Sequence, residues 1–138
     1  MENATDKIKL FNSILESFLL QTATIVGSTY HHYFVKLIKV NAPVPINYAI
    51  TNLIVFKDQI LSKNEDYFNN ETNYINNLNN LNNLTDGIIN TDNTLSEIMR
   101  LKDIYYKLDT DSKENVWSIL QALLQLTIEY CELKNIKY

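Results

Sequence analysis

The residues that most often do chemistry in proteins are few in this chain and poorly spaced for it. His31 and His32 are the two histidines, and they stand next to each other. Adjacent residues on a helix point about 100° apart, so both rings are badly placed to hold one metal ion. No histidine or cysteine lies three or four residues from the pair, and zinc sites need about four such ligands. We therefore predict no metal site and no cofactor.

The single cysteine, Cys131, has no histidine near it in the sequence and falls in an apolar helical pattern with Leu124 and Thr127. A buried free cysteine of this kind is commonly inert. It cannot form an internal disulfide, which favours a reducing compartment. Two glycines are too few for a Gly-rich phosphate loop. Nucleophilic and phosphate-transfer chemistry therefore have no support.

Acidic residues form two short groups, and neither has the spacing of a known site. Glu65 and Asp66 lack the alternating oxygen ligands and the central glycine of an EF-hand loop. Asp109, Asp111 and Glu114 fit a turn followed by a helix cap. Since no catalytic constellation emerges, we predict that the protein is not an enzyme.

The candidate functional residues are instead those of an interaction surface. Residues 17–56 contain no acidic side chain but hold two lysines and both histidines, whereas residues 58–111 contain ten acidic and four basic residues. This dipolar layout can orient a protein on a partner. The candidate surface residues are Tyr30, Tyr33, Lys36, Lys39 and Trp117. Two alternatives stay open: the lysines can mark an ordinary solvated face, and a tryptophan at the start of an apolar helix is often a core anchor.

Length and composition exclude several classes of protein. With 138 residues and 46% apolar residues, the chain is long enough for one domain, residues 1–138, with a real core. A net charge of −4 makes nucleic acid an unlikely partner. No apolar run approaches 18 residues, so no membrane span is expected. The first residues lack a basic-then-apolar signal pattern, so we expect no secretion.

Hydrophobic spacing and the scarcity of turn residues predict helices. Apolar residues three and four apart predict helices over 6–26, capped by Asn3 or Thr5, and over 29–40. Pro43 and Pro45 predict an extended connector, and the next helix is expected to begin just after Pro45 and to reach Leu61. Beyond it we expect Asn64 or Asp66 to cap or end a helix, with the following aromatic pair, Tyr67 and Phe68, folded onto the core.

Residues 64–93 differ from the rest, since 12 of these 30 residues are asparagine. Asparagine weakens helices because its amide competes for backbone groups, and we interpret this part as a surface insertion, mobile or loosely helical. Thr94 and Glu97 form a capping-box pattern, and Asp111 with Glu114 starts a last helix that is apolar around much of its circumference. The predicted fold is all-α: a small bundle of about five helices.

Two blocks of the chain resemble short helical proteins encoded by giant, mimivirus-like nucleocytoplasmic large DNA viruses. The blocks are residues 57–68 (KDQILSKNEDYF), and residues 101–108 (LKDIYYKL) together with 112–117 (SKENVW) and the apolar tail to Tyr130. The resemblance covers about half of the chain. It implies a viral origin and a small helical fold, and it implies no reaction.

These observations predict a viral accessory protein that acts through protein–protein interaction, in the host cell cytoplasm or in the virion. Its partner is expected to be a host or viral protein, with a second copy in a homodimer as one option. One alternative is a virion structural component. Another is a regulator of host cell death with a Bcl-2 fold, because Asn115-Val-Trp117-Ser invites comparison with the Asn-Trp-Gly-Arg signature of that family. The extra valine and the missing glycine and arginine weigh against the second alternative.

Overall fold

The first element is the long helix α1, Ala4–Val26, in a computed structural model that describes residues 3–69 and 100–138. The Asn3 side chain accepts a hydrogen bond from the backbone N–H of Asp6 at 2.9 Å, and the Asp6 carboxylate accepts one from the N–H of Asn3 at 3.1 Å. This reciprocal pair satisfies two donors that the start of a helix leaves open. The predicted helix is confirmed, with Asn3 and not Thr5 as its cap, and it begins two residues earlier than the predicted 6–26.

Gly27 separates α1 from helix α2, Thr29–Val40. Its backbone, at φ 94° and ψ 164°, occupies a region that is essentially reserved for glycine. The predicted helix over 29–40 is confirmed. The connector that follows α2 is fastened to α1, because the Asn12 side-chain amide donates to the carbonyl of Ala42 at 3.0 Å.

Helix α3 covers Val44–Asn52, so the prediction that a helix begins just after Pro45 is wrong by two residues. Pro43 has near-helical angles, φ −73° and ψ −10°, and Pro45 lies in the first turn. A proline is tolerated there because the N–H that it lacks has no partner inside the helix. The expected extended connector is therefore a short turn.

The single helix predicted to run on to Leu61 is broken. After α3 the chain forms a 3-10 turn, Ile54–Phe56, and then the short helix α4, Lys57–Leu61. At the break the side chains of Thr51 and Asn52 both donate to the carbonyl of Tyr48, at 3.3 and 3.0 Å. Such local bonds compete with the helix ladder, and the β-branched residues beside them favour the helix weakly.

Helix α5, Glu65–Asn69, follows directly, and the Asn64 side chain caps it by accepting from the N–H of Tyr67 at 3.1 Å. The prediction of a cap at Asn64 is confirmed. The rest of the predicted Asn-rich insertion, and the capping box at Thr94 and Glu97, fall within 70–99 and so lie outside the described residues.

Residues 100–106 are helical and are called α6 here; the long helix α7, Thr110–Lys134, follows. Asp109 caps α7, since its carboxylate accepts from the N–H of Ser112 at 2.7 Å. The prediction that Asp111 starts this helix is therefore wrong by two residues. Asn135 ends α7 in the left-handed conformation, at φ 55°.

Helix α7 lies at the centre of the bundle, with α1 against one part of its surface and α3 and α4 against another. This arrangement covers the two apolar faces that its sequence required. The main core cluster consists of Phe11, Ile46, Ala49, Leu123, Leu126 and Tyr130. The all-α prediction is confirmed, because every regular element within 3–69 and 100–138 is helical.

Candidate interaction surface

Helix α2 exposes an apolar stripe along one side. Tyr33, Leu37 and Val40 are 71%, 41% and 87% exposed, and their spacing of four and three residues places them on one face of a helix. Phe34, on the inward side, is buried. Single large apolar side chains are scattered over most protein surfaces. Three of them in one row along a helix of twelve residues form a contiguous patch.

The stripe borders an open groove between α2 and α3. Leu37 forms one wall of the groove, while Val44 and Tyr48, one helical turn apart, form the other. Its floor comes from α1 and α7 and includes Phe11, Leu15 and Leu123. The groove volume is about 450 Å³, within the rough range of 300–1,000 Å³ that is typical of ligand sites. We call the stripe and this groove together the α2–α3 face.

The charged side chains that α2 exposes near the stripe are two lysines. Lys36 is exposed and lies one helical turn from both Tyr33 and Val40, and Lys39 is exposed one turn further on. Residues 17–56 contribute no carboxylate side chain. The nearest acids in sequence on the two sides are Glu16, whose carboxylate lies 3.4 Å from Nε2 of His31, and Asp58. An anionic partner that covers the stripe would therefore lie beside Lys36.

The tyrosine at the rim, Tyr48, is about half exposed, and burial raises the pKa of its hydroxyl above the ordinary value of 10.0. The hydroxyl is therefore neutral at physiological pH. It can donate a hydrogen bond to a carboxylate as well as offer its ring for packing.

Trp117, another candidate surface residue, lies inside the protein and is only 6% exposed. Its indole N–H donates to the hydroxyl of Tyr105 at 2.8 Å, and its ring packs near that of Phe68. The Tyr105 hydroxyl in turn donates to Glu65. Burial, and next the bond to Glu65, raise the pKa of Tyr105 to about 12. In this position Trp117 joins α5 and α6 to α7. It is therefore a core anchor, the alternative to a surface residue that the sequence left open.

Tyr30, the remaining candidate, is half-buried in the first turn of α2, one helical turn before Tyr33. It lines an apolar cavity of about 240 Å³ between α1, α6 and the start of α7, together with Phe18, Ile104 and Val116. The Arg100 guanidinium lies beside it, donating at 3.5 Å to the Tyr30 hydroxyl. Tyr33, Lys36 and Lys39 are thus all exposed on α2, whereas Tyr30 is half-buried beside this cavity and Trp117 lies inside the protein.

The residues considered for catalysis remain apart. Cys131 is fully buried, and burial raises the pKa of its thiol, which makes the reactive thiolate rarer. The rings of His31 and His32 are tilted, with centroids 6.2 Å apart. Among residues 3–69 and 100–138, no cluster of three or more His, Cys, Asp or Glu side chains could hold a metal ion.

Sequence reasoning missed Leu37, Val40 and Tyr48 as surface residues. The interval from Tyr33 to Leu37 to Val40 was a readable signal for a second face of α2. Tyr48 carried no such signal, because its position opposite Leu37 depends on the turn between α2 and α3.

A scan against protein-family models and searches of curated proteins and of solved structures gave no match to this chain. Within the part of the chain that the structure describes, none of the helices has the length and apolar character needed to cross a bilayer.

Proposed function

We propose that this chain is a non-catalytic accessory protein of a large DNA virus that acts by binding another protein through its α2–α3 face. The single observation that supports this most is the exposed stripe of Tyr33, Leu37 and Val40 beside an apolar groove. Exposed contiguous apolar surface commonly marks a site of association. The proposed setting is the host cell cytoplasm or the virion.

The composition of the face fits a protein contact. Tyrosine provides a large, stiff contact area that loses little conformational entropy on binding, and aromatic residues are enriched in interfaces. Tyr33 and Tyr48 provide it here, and the exposed Lys36 lies one helical turn from Tyr33. The exposed part of these side chains adds little to folding stability, because it remains in contact with water.

The proposal is tested by affinity purification of the tagged full chain from infected cells, with quantitative mass spectrometry. We expect Tyr33→Asp and Val40→Asp to lose a partner that the unchanged chain retains. Leu133→Asp is the matched control, because Leu133 is 48% exposed on α7, outside the groove lining. Circular dichroism and thermal melting check that all three variants remain folded. Equal recovery from Tyr33→Asp, Val40→Asp and Leu133→Asp would show that the face is not the binding surface.

The alternative role as a virion component uses the same surface and differs in abundance. Many copies per purified particle, together with retention of capsid or core proteins through Tyr33 and Val40, would place the contact in the virion. Recovery of a host protein, with few copies per particle, would place it in the infected cell.

A further inference from the structure

We infer that the apolar cavity between α1 and α6 is a binding site for a small, uncharged, hydrophobic molecule. We call this space the α1–α6 cavity. It shares no lining residue with the groove between α2 and α3, so binding there is independent of the proposed protein contact.

Apolar stripes of two helices form most of the walls of the α1–α6 cavity. On α1 the lining includes Phe18, Thr22 and Ile25, which are spaced four and three residues apart and so share one side of the helix. Along α6 and the turn after it, lining residues recur with the same spacing from Leu101 to Leu108. One residue of α2 and one of α7 complete the lining. The cavity is therefore enclosed by side chains from four helices.

The walls offer a ligand no charge and little hydrogen bonding. Of the described residues that line the cavity, none is Lys, Arg, His, Asp or Glu. The Thr22 hydroxyl donates to the carbonyl of Phe18 at 2.9 Å, and the Tyr105 hydroxyl donates to Glu65 and accepts from Trp117. Burying a charge without a partner is strongly unfavourable, and a buried water needs about two to four polar partners. These walls therefore favour a neutral hydrocarbon group.

The second half of α1 gives such a molecule apolar surface to cover. The buried residues of α1 are Lys7, Phe11 and Asn12, and all three lie in its first half. In the second half, Phe18 is half-buried and Ile25 is 53% exposed, although both line the cavity. A hydrophobic molecule in the cavity would remove part of this surface from water, which is the main source of favourable free energy in apolar binding.

The volume of the cavity limits the size of the ligand. At about 240 Å³ it exceeds the volume of about 150 Å³ at which an apolar protein cavity binds benzene. One aromatic ring with a few additional carbons therefore fits. A helix of a partner protein is about 10–12 Å wide with its side chains and does not fit, so the occupant is a small molecule.

The test compares three probes of nearly equal size: toluene, benzoate and benzylammonium. Isothermal titration calorimetry measures the affinity of each probe for the full chain. We expect toluene to bind at least about ten-fold more tightly than either ion, because the walls offer neither charge a partner. Toluene should also raise the melting temperature, since a ligand of the native state stabilises it. In methyl-detected nuclear magnetic resonance spectra, its shifts should concentrate on Ile25, Ile104 and Val116, which line the cavity.

Two variants that fill the cavity test the location of the site. Val116→Phe and Val26→Phe each add a ring to a lining position, and each should weaken toluene binding by about ten-fold or more because the ring occupies the same space. Val55→Phe is the matched control, since Val55 is 52% exposed and lies outside the cavity lining. Its toluene affinity should stay within about two-fold of the unchanged chain, a difference of less than about 0.5 kcal/mol. Thermal melting verifies that each variant is folded, and two filling variants are used so that the loss of one leaves the other.

Three results would overturn the inference. The first is no toluene binding up to its solubility limit. The second is equal affinity for the three probes, which would show that the walls do not select a neutral molecule. The third is unchanged toluene binding in a folded filling variant, which would place the molecule elsewhere on the protein. The cellular partner that Tyr33→Asp is expected to lose is measured separately, so failure here leaves the proposed function in place.

Discussion

The ion pair between Lys7 on α1 and Glu129 on α7 makes a quantitative prediction, because its two partners differ in exposure. Lys7 Nζ lies 2.7 Å from Glu129 Oε2, yet the Lys7 side chain is 10% exposed and that of Glu129 is 34% exposed. The carboxylate also accepts from Gln125 at 3.2 Å. Removing either partner loses the same contact but leaves a different charge behind.

Glu129→Ala leaves an ammonium group in a site with little access to water, and we expect a loss of about 3 kcal/mol in the free energy of unfolding. This is the lower end of the roughly 3–5 kcal/mol cost of breaking a buried pair. Lys7→Met leaves a carboxylate that keeps Gln125 and a third of its surface in water, while methionine fills the lysine site with apolar atoms. We expect that variant to lose about 1 kcal/mol or less.

The assay is urea denaturation followed by tryptophan fluorescence, since Trp117 is the single tryptophan and is buried. The difference of about 2 kcal/mol between the variants corresponds to roughly 6 °C in melting temperature for a chain of this size. Glu114→Ala is the control. It removes an ion pair to Lys63 in which both side chains are well exposed, and it should cost under about 1 kcal/mol. Lys7→Met as damaging as Glu129→Ala would refute the argument from desolvation.

The same pair predicts a dependence on pH. The hydrogen bond from Lys7, and next that from Gln125, lower the pKa of Glu129 below its ordinary value of 4.5. A carboxyl whose pKa is lower in the folded protein stabilises the fold above its unfolded pKa, and that contribution is lost as the pH falls through the folded pKa. The unmodified chain and Glu129→Ala should therefore converge in stability below pH 4.5. A constant gap down to acidic pH would contradict this assignment.

Three further predictions concern other sites. Tyr105→Phe removes the acceptor of the Trp117 indole N–H and should destabilise the fold by about 1–2 kcal/mol, measured by the same urea assay, with Tyr33→Phe as the control that changes little, because the Tyr33 side chain is 71% exposed. Gly27→Ala should cost about 1–3 kcal/mol although open space surrounds the new methyl group, because φ 94° strains any other residue; an unchanged midpoint would disprove the strain. The Cys131 thiol should react with a disulfide reagent slowly in the native chain and at once in denaturant, and rapid native reaction would show that it is accessible.

The sequence predicted those parts of the fold whose signals are local. Asn3 was one of the two predicted caps of α1, and the bounds of α2 followed from the spacing of its apolar residues. The errors occurred where a helix begins or ends at a place that is set by a contact distant in sequence or by a competing local hydrogen bond. Asn52 turns its amide back to the carbonyl of Tyr48 and ends α3 early, and a hydrophobic pattern over 46–61 does not report that bond. Asp109 rather than Asp111 caps α7, since both have the residue type of a cap and only geometry separates them.

The candidate surface was predicted in part for the same reason. The positive charge of Lys36 and Lys39 and the absence of acids around them are properties of the sequence. Trp117 is different, because an aromatic side chain at the start of an apolar helix is equally suited to a core and to a contact surface. Its burial depends on Tyr105 and Phe68 reaching it from other helices.

What the sequence determined by itself is the all-helical class, the caps that a residue type and its spacing specify, and the sign of the charge along α2, because these depend on neighbours within about one helical turn. What only the tertiary structure decided is the groove. Leu37 and Tyr48 stand on different helices, and they face each other because the turn after α2 and the packing of α3 on α7 bring them together. Contacts between helices arise from the simultaneous burial of several apolar faces, and no short stretch of sequence contains that information.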